Sequence, residues 1–131
     1  MKLWSRLWNR SKEVRKQRKY RYNAPLHTKQ KFVHVHLSPE LRKKYGRRSL
    51  GVRVGDKVKV LRGQFRKKTG KVNRVSLIYG KVYVEGIEAV RKEGAKIFYP
   101  IAPSNIMITE FNLEDKRRKV KLEKNIKKET K

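Results

Sequence analysis

Val54–Val75 reads VGDKVKVLRGQFRKKTGKVNRV, and this stretch leaves the chain few ways to fold. Two short alternating runs, Lys57–Leu61 and Lys71–Val75, flank a loop bounded by Gly63 and Gly70. Alternation puts Val58 and Val60 on one face and Lys57 and Lys59 on the other, the pattern of a half-buried strand. Val72 and Val75 fall out of phase by one residue. That predicts a bulge or sharp bend, as where a small barrel closes. The two glycines are free to take positive φ, so the chain reverses tightly and its amides can approach an anion. Arg62, Gly63, Gln64, Phe65, Arg66, Lys67 and Lys68 then make a basic tip on a two-stranded scaffold. Such a tip suits binding better than catalysis. Phe65 is either a stacking side chain or a plug for the core.

The β pattern runs on from Gly51. Ile78-Tyr79-Gly80-Lys81-Val82 signals a hairpin centred on Gly80, and Val82 and Val84 belong to the next strand. Gly86–Gly94 reads as a polar connection in which Ile87 and Val90 plug the core. Lys96–Tyr99 and Ile106–Ile108 supply two more short strands, joined through a turn at Pro100, Pro103, Ser104 and Asn105. About five short strands in this span predict a mainly β fold, a small SH3-like barrel over residues 51–110.

Residues 1–50 and 111–131 read as basic extensions of that barrel. Of the net charge of +27, residues 1–50 carry +14 (16 Lys/Arg against 2 Asp/Glu). Residues 51–110 carry +8 (13 against 5), and residues 111–131 carry +5 (9 against 4). Charge of this density must be spread along extended segments or neutralised by a polyanion. Nucleic acid is the default partner, because cations on phosphates release condensed counterions. Leu3/Leu7 and Trp4/Trp8 are i, i+4 pairs that predict an apolar stripe on a first helix. Arg10, Lys12, Arg15, Lys16, Arg18, Lys19 and Arg21 follow, interleaved with Tyr20 and Tyr22. Cations with interleaved aromatics point to an arm ordered by RNA, with phosphates on the cations and bases or sugars on the rings.

Pro25 after Asn23-Ala24 breaks the arm, and Phe32–Leu37 alternates as a short strand. Ser38–Gly46 predicts a short helix with Ser38 as N-cap, Pro39 at the first helical position and Gly46 after the end. Lys43 faces outward on it, and Arg47 and Arg48 continue the basic run. The extension thus holds one or two short helices. At the other end, Asn112-Leu-Glu-Asp predicts the N-cap of a basic C-terminal helix with a weak Leu113/Val120 stripe.

Other chemistries find little support. No run of about 18 apolar residues exists to span a bilayer. The chain has no cysteine, which excludes disulfides and thiolate metal sites. His34 and His36 share one strand face but have no Asp or Cys nearby, so they read as polar residues meeting RNA or solvent. Gly70 is followed by Lys71-Val72 and a strand, unlike a phosphate loop that opens a helix. Asp56 beside Gly55 reads as a turn-fixing carboxylate. Neither an enzyme nor a cofactor or small-molecule substrate is implied.

Val54–Val75 resembles the KOW motif through Val60, Gly63, Gly70 and Val72. Pro103-Ser104-Asn105-Ile106-Met107-Ile108 is similar to the strand after the last barrel turn in the KOW protein of the large ribosomal subunit, the L twenty-four family. Tyr22-Asn23-Ala24-Pro25 with His27, and Leu37–Tyr45, resemble the N-terminal extension of its archaeal and eukaryotic branch. The family often has a second glycine in the loop, where this chain has Lys67. The resemblance implies a cytoplasmic ribosomal protein that binds the 5′ region of large-subunit rRNA early in assembly. It also implies a place near the peptide exit tunnel, beside neighbouring ribosomal proteins, and it adds Asn23 and His27 to the RNA-binding set. A KOW-type transcription elongation or antitermination factor is the alternative.

Overall fold

The computed structural model describes residues 4–8 and 11–129. Arg10 and Leu3 lie outside the described residues. Elements follow in the order α1 (Val14–Asn23), α2 (Leu26–Phe32), β1 (His34–Leu37), α3 (Pro39–Tyr45), β2 (Ser49–Gly51), β3 (Lys57–Val60), β4 (Thr69–Ser76), β5 (Lys81–Val84), β6 (Glu88–Val90), β7 (Lys96–Phe98), a 3-10 turn at Pro103–Asn105, β8 (Ile106–Glu110) and α4 (Lys116–Glu129). The domain is small and mainly β.

Six strands join in the order β2-β1-β8-β3-β4-β5. The β1–β8 pair is parallel and the other pairings are antiparallel. β4 is long enough to pair with β3 at its start and β5 at its end, and its register shifts between Val72 and Arg74. That bulge is the phase break between Val72 and Val75, and it bends β4 from one sheet into the next. Val82 and Ile101 then exchange two backbone hydrogen bonds of 2.9 Å. The 3-10 turn carries the chain from Ile101 into β8, so the far strand is tied back to the first and the barrel closes.

Inside sit Val58, Val60, Val72, Val82, Val84, Ile87, Ile101, Ile106 and Ile108, all buried. Each buried aliphatic side chain of this size contributes about 1.5–3 kcal/mol relative to exposure. β1 adds Val35 and Leu37 to the same cluster while His34 and His36 face out. The strand-forming region therefore begins at His34, ahead of Gly51. β2 pairs with β1 from Ser49 to Gly51.

The helix after β1 follows its local signals. Ser38 Oγ accepts a 3.3 Å hydrogen bond from the Leu41 amide, Pro39 opens the helix, and Gly46 ends it at φ 57°. Tyr45 is buried with its ring edge on Phe111 at 5.4 Å between centroids.

Several expectations are corrected. The extension holds three helices, because Pro25 precedes α2 instead of only ending α1. Gly86–Gly94 is not a plain connection. Its residues 88–90 pair with 96–98 as a hairpin, Ile87 is buried and Val90 is exposed. Residues 4–8 form a turn and no helix, and Leu7 is exposed. The indoles of Trp4 and Trp8 instead pack on Tyr20, at centroid distances of 5.4 and 4.9 Å. Leu113 and Val120 are exposed, and Arg118 and Leu122 are the buried side chains among those described in α4.

Arg118 is buried because of Asp56. Both guanidinium nitrogens donate to the carboxylate, at 2.6 and 2.7 Å, with the side chains 4% and 0% exposed. The same carboxylate accepts from the Arg53 and Asn112 amides, each at 2.9 Å. Arg118 also donates to the carbonyls of Asn112 and Gly51. Asp56 does fix its turn, and it also anchors α4 on the barrel. Removing one partner leaves an uncompensated buried charge. Arg118→Met is expected to cost about 3–5 kcal/mol of stability in urea unfolding. The double variant Asp56→Asn/Arg118→Met should lose less than the two single losses added.

Candidate nucleic-acid interface

The basic loop between β3 and β4 is folded by its own backbone. The Val60 amide donates to the Lys68 carbonyl at 2.9 Å, and the Lys67 amide donates to the Val60 carbonyl at 2.9 Å. Two tighter turns, closed by Arg66 N–H to Gly63 O at 3.0 Å and Lys68 N–H to Phe65 O at 3.1 Å, shape the tip. Outside the tip, the Leu61 amide donates to Asn105 O at 2.8 Å and pins the loop base to the 3-10 turn.

The two bounding glycines differ in what they supply. Gly63 has φ 90° with open space around it, so it provides the left-handed turn. Gly70 has no positive φ. A Cβ there would lie 2.3 Å from the Glu85 carbonyl oxygen, so this glycine is needed for close approach of two backbones. The second left-handed position is Lys67, at φ 72°. This is a conformation that glycine adopts freely, and here a lysine holds it.

Phe65 partly takes the role of core plug. It is half-buried against the core, its ring lies 5.2 Å from that of Tyr99, and Lys68 Nζ sits 5.3 Å above it. Arg62, Gln64, Arg66, Lys67 and Lys68 are exposed. Among the described residues, no carboxylate forms an ion pair with any of these cations. The loop is thus a preformed cationic tip whose charges have no acidic partner there.

The arm is separate from it. α1 buries none of its residues and carries Arg15, Lys16, Arg18, Lys19 and Arg21. Lys16 pairs with Glu13 at 3.2 Å in an exposed contact. Lys12 precedes the helix and is exposed, and half-buried Asn23 ends it. Tyr20 is covered by the two indoles, whereas Tyr22 is 81% exposed beneath Lys29. Lys43 and Arg48 are exposed on and after α3.

His27 and Arg47 meet elsewhere, on an open cleft of about 740 Å³. Its walls come from α2, the segment from Arg47 to Val54, the end of β4 and the first turn of α4. Gln30, Lys31, His34, Arg53 and Arg117 also line it. Of these, the sequence pattern marked His34 as meeting RNA or solvent, whereas Gln30, Lys31, Arg53 and Arg117 were not among the expected RNA contacts. His27 and Lys31 are i, i+4 neighbours on a helix, a signal legible once residues 26–32 are recognised as helical.

Asp115 caps α4 beside this cleft. Its carboxylate accepts from the Arg53 guanidinium and, at 2.8 Å, from the Arg117 amide. The Arg53 hydrogen bond, followed by that from Arg117, holds the Asp115 carboxyl below the ordinary aspartate value. A folded pKa depressed in this way means the stabilisation is present above the unfolded pKa and is lost as pH falls through the folded one.

Among the described residues, no group of three or more His, Asp or Glu is placed to hold a metal ion. No described helix is long and apolar enough to cross a membrane.

The loop and the cap each make a measurable prediction. Lys67→Gly should change stability by less than about 1 kcal/mol, because relief of the left-handed strain offsets the added chain entropy. Lys67→Val should lose about 1–2 kcal/mol by the same unfolding assay. In a carboxyl NMR titration, Asp115 should titrate below the ordinary range, and Arg53→Gln should move its midpoint back up.

The chain is 49% identical over 114 residues to the large ribosomal subunit protein uL24 of Methanosarcina barkeri, covering 87% of this chain and 98% of that protein. It is 44% identical over 116 residues to the large ribosomal subunit protein uL24 of Methanosphaera stadtmanae, covering 88% and 99%. Residues 11–125 match the ribosomal protein family that comprises eukaryotic L26 and its archaeal counterpart of the L twenty-four type, and the chain belongs to that family.

Proposed function

We propose that this protein is a structural, non-catalytic constituent of the large ribosomal subunit that docks on large-subunit rRNA. The observation that carries the reading is the preformed loop at 62–68. Its cations sit on a hydrogen-bonded turn and need little ordering when they meet phosphates. The charge of +27 supplies long-range attraction for a polyanion. Membership in the ribosomal family supports the ribosome as the setting and the cytoplasm as the compartment.

Within this reading the loop and the arm divide the work. Arg62, Arg66, Lys67 and Lys68 take phosphates at fixed positions, and the Arg66–Lys68 turn sets their spacing. The cations of α1, with Lys12 ahead of it and Arg47 and Arg48 behind, lie along RNA helices. Tyr22 offers an exposed ring for a base or sugar, and Tyr20 fixes the arm through the indoles. Contacts of this kind position a protein without reading sequence, so selectivity comes from RNA shape. The resemblance to the family supports a target in the 5′ region of the rRNA, with binding early in assembly and a final site near the peptide exit tunnel.

A transcription-factor reading has less support. The family matched over residues 11–125 is a ribosomal one, which favours the ribosome over a polymerase as the setting.

Salt titration of binding to a large-subunit rRNA fragment tests the mechanism. If the protein neutralises six to ten phosphates, affinity should fall about 10³–10⁵-fold between 50 and 200 mM salt. Replacing Arg66 by Gln should lower the salt slope by about one. A salt-insensitive affinity would contradict phosphate docking.

A further inference from the structure

We propose that the cleft between α2, β2 and α4 is a second RNA site, built to take an unstacked nucleotide with its base on an apolar floor. The inference rests on the rRNA-binding reading and adds a site at the opposite end of the barrel. β4 connects the two places. Thr69 stands at the loop end, paired with Lys59, while Val75 and Leu77 line the cleft. Thr69 and Val75 lie six residues apart along the strand, at most roughly 20 Å. One RNA helix end cannot fill both sites by a single local contact.

Floor and rim differ in chemistry. Val33, Leu50 and Val52 are buried and Val75 and Leu77 half-buried, so the floor is aliphatic. The rim carries Lys31, Arg53 and Arg117 with the imidazoles of His27 and His34. No carboxylate is among the lining residues, and the Asp115 carboxylate beside the cleft is engaged in fixing Arg53 and the first turn of α4.

A bare phosphate would gain from the rim and lose hydration against the floor. A nucleotide matches both, because its phosphate is anionic while its base has an apolar face and a polar edge. Unstacked bases are the usual targets of selective RNA recognition, with His rings and Arg planes among the groups they stack on. A volume of about 740 Å³ falls within the range of roughly 300–1,000 Å³ typical of small-ligand pockets.

The test uses the full-length protein with labelled Val and Leu methyls and amides. It is titrated separately with hexaadenylate and with an abasic hexanucleotide of equal phosphate number. The expected result is an upfield ring-current shift of the Leu50, Val75 and Leu77 methyls with hexaadenylate only. Amides of the 62–68 loop should respond to both. Cleft methyls that respond alike to both probes, or to neither, while the loop responds, overturn the nucleotide site and leave the docking loop standing. A silent loop and cleft overturn the rRNA-binding reading as well. Arg117→Glu, an exposed change that suits the first turn of a helix, should weaken hexaadenylate binding about tenfold. It should leave the loop's response to the abasic probe intact. Unchanged hexaadenylate affinity in this variant overturns the proposal.

Discussion

A buried carboxylate–guanidinium pair, Asp56 with Arg118, holds the two ends of this protein's sequence logic together. Asp56 sits in the turn that starts β3, and Arg118 sits two residues into α4. Through the carbonyls of Gly51 and Asn112, the same guanidinium also touches the end of β2 and the segment that follows β8. Burying two charges is expensive, and a well-packed apolar replacement is often as stable. The pair's value here is positional. Its fork geometry accepts one orientation of α4, and that orientation sets where Arg117 stands on the cleft wall and where Asp115, beside the cleft, meets Arg53. The Arg118 plane also lies 5.1 Å from the Phe111 ring, which links the pair to Tyr45 and α3.

β4 complements that anchor. It begins at a loop shaped by backbone hydrogen bonds and ends at the floor of the cleft. Its bulge between Val72 and Arg74 bends it enough to close the barrel. The strand therefore fixes the separation of two basic surfaces that would otherwise move independently. A small core suffices because its residues are branched aliphatics, stiff at χ1 and well suited to a pleated, buried face.

Much of this was legible in the residues. Alternation located Val58, Val60, Val82 and Val84 in the core, and the phase break at Val72/Val75 announced the bulge. Ser38, Pro39 and Gly46 bounded α3 because caps act locally. What was hidden depended on contacts distant in sequence. Arg118 looks like any cation in a basic run, and its partner lies 62 residues away. β2 spans three residues, too few for a period. α2 was obscured because proline both ends and begins helices. Gly70 was read for conformational freedom, while its need is space beside Glu85. Lys67 carries no sign of its left-handed φ, and only the resemblance to the KOW motif marked the position. The candidate site divides the same way. The loop could be seen as a cluster in the sequence, whereas the cleft is assembled from four separated segments.

On the proposed reading, the loop at 62–68 is folded before RNA arrives, while the arm, whose α1 buries none of its residues, gains its order from RNA. Amide hydrogen exchange of the free protein tests this most directly. Protected amides are expected at Arg66, Lys67 and Lys68, each hydrogen-bonded within the loop, with little protection along Val14–Asn23. Loop amides exchanging as fast as those of an unstructured chain would contradict it, as would uniform protection across the arm.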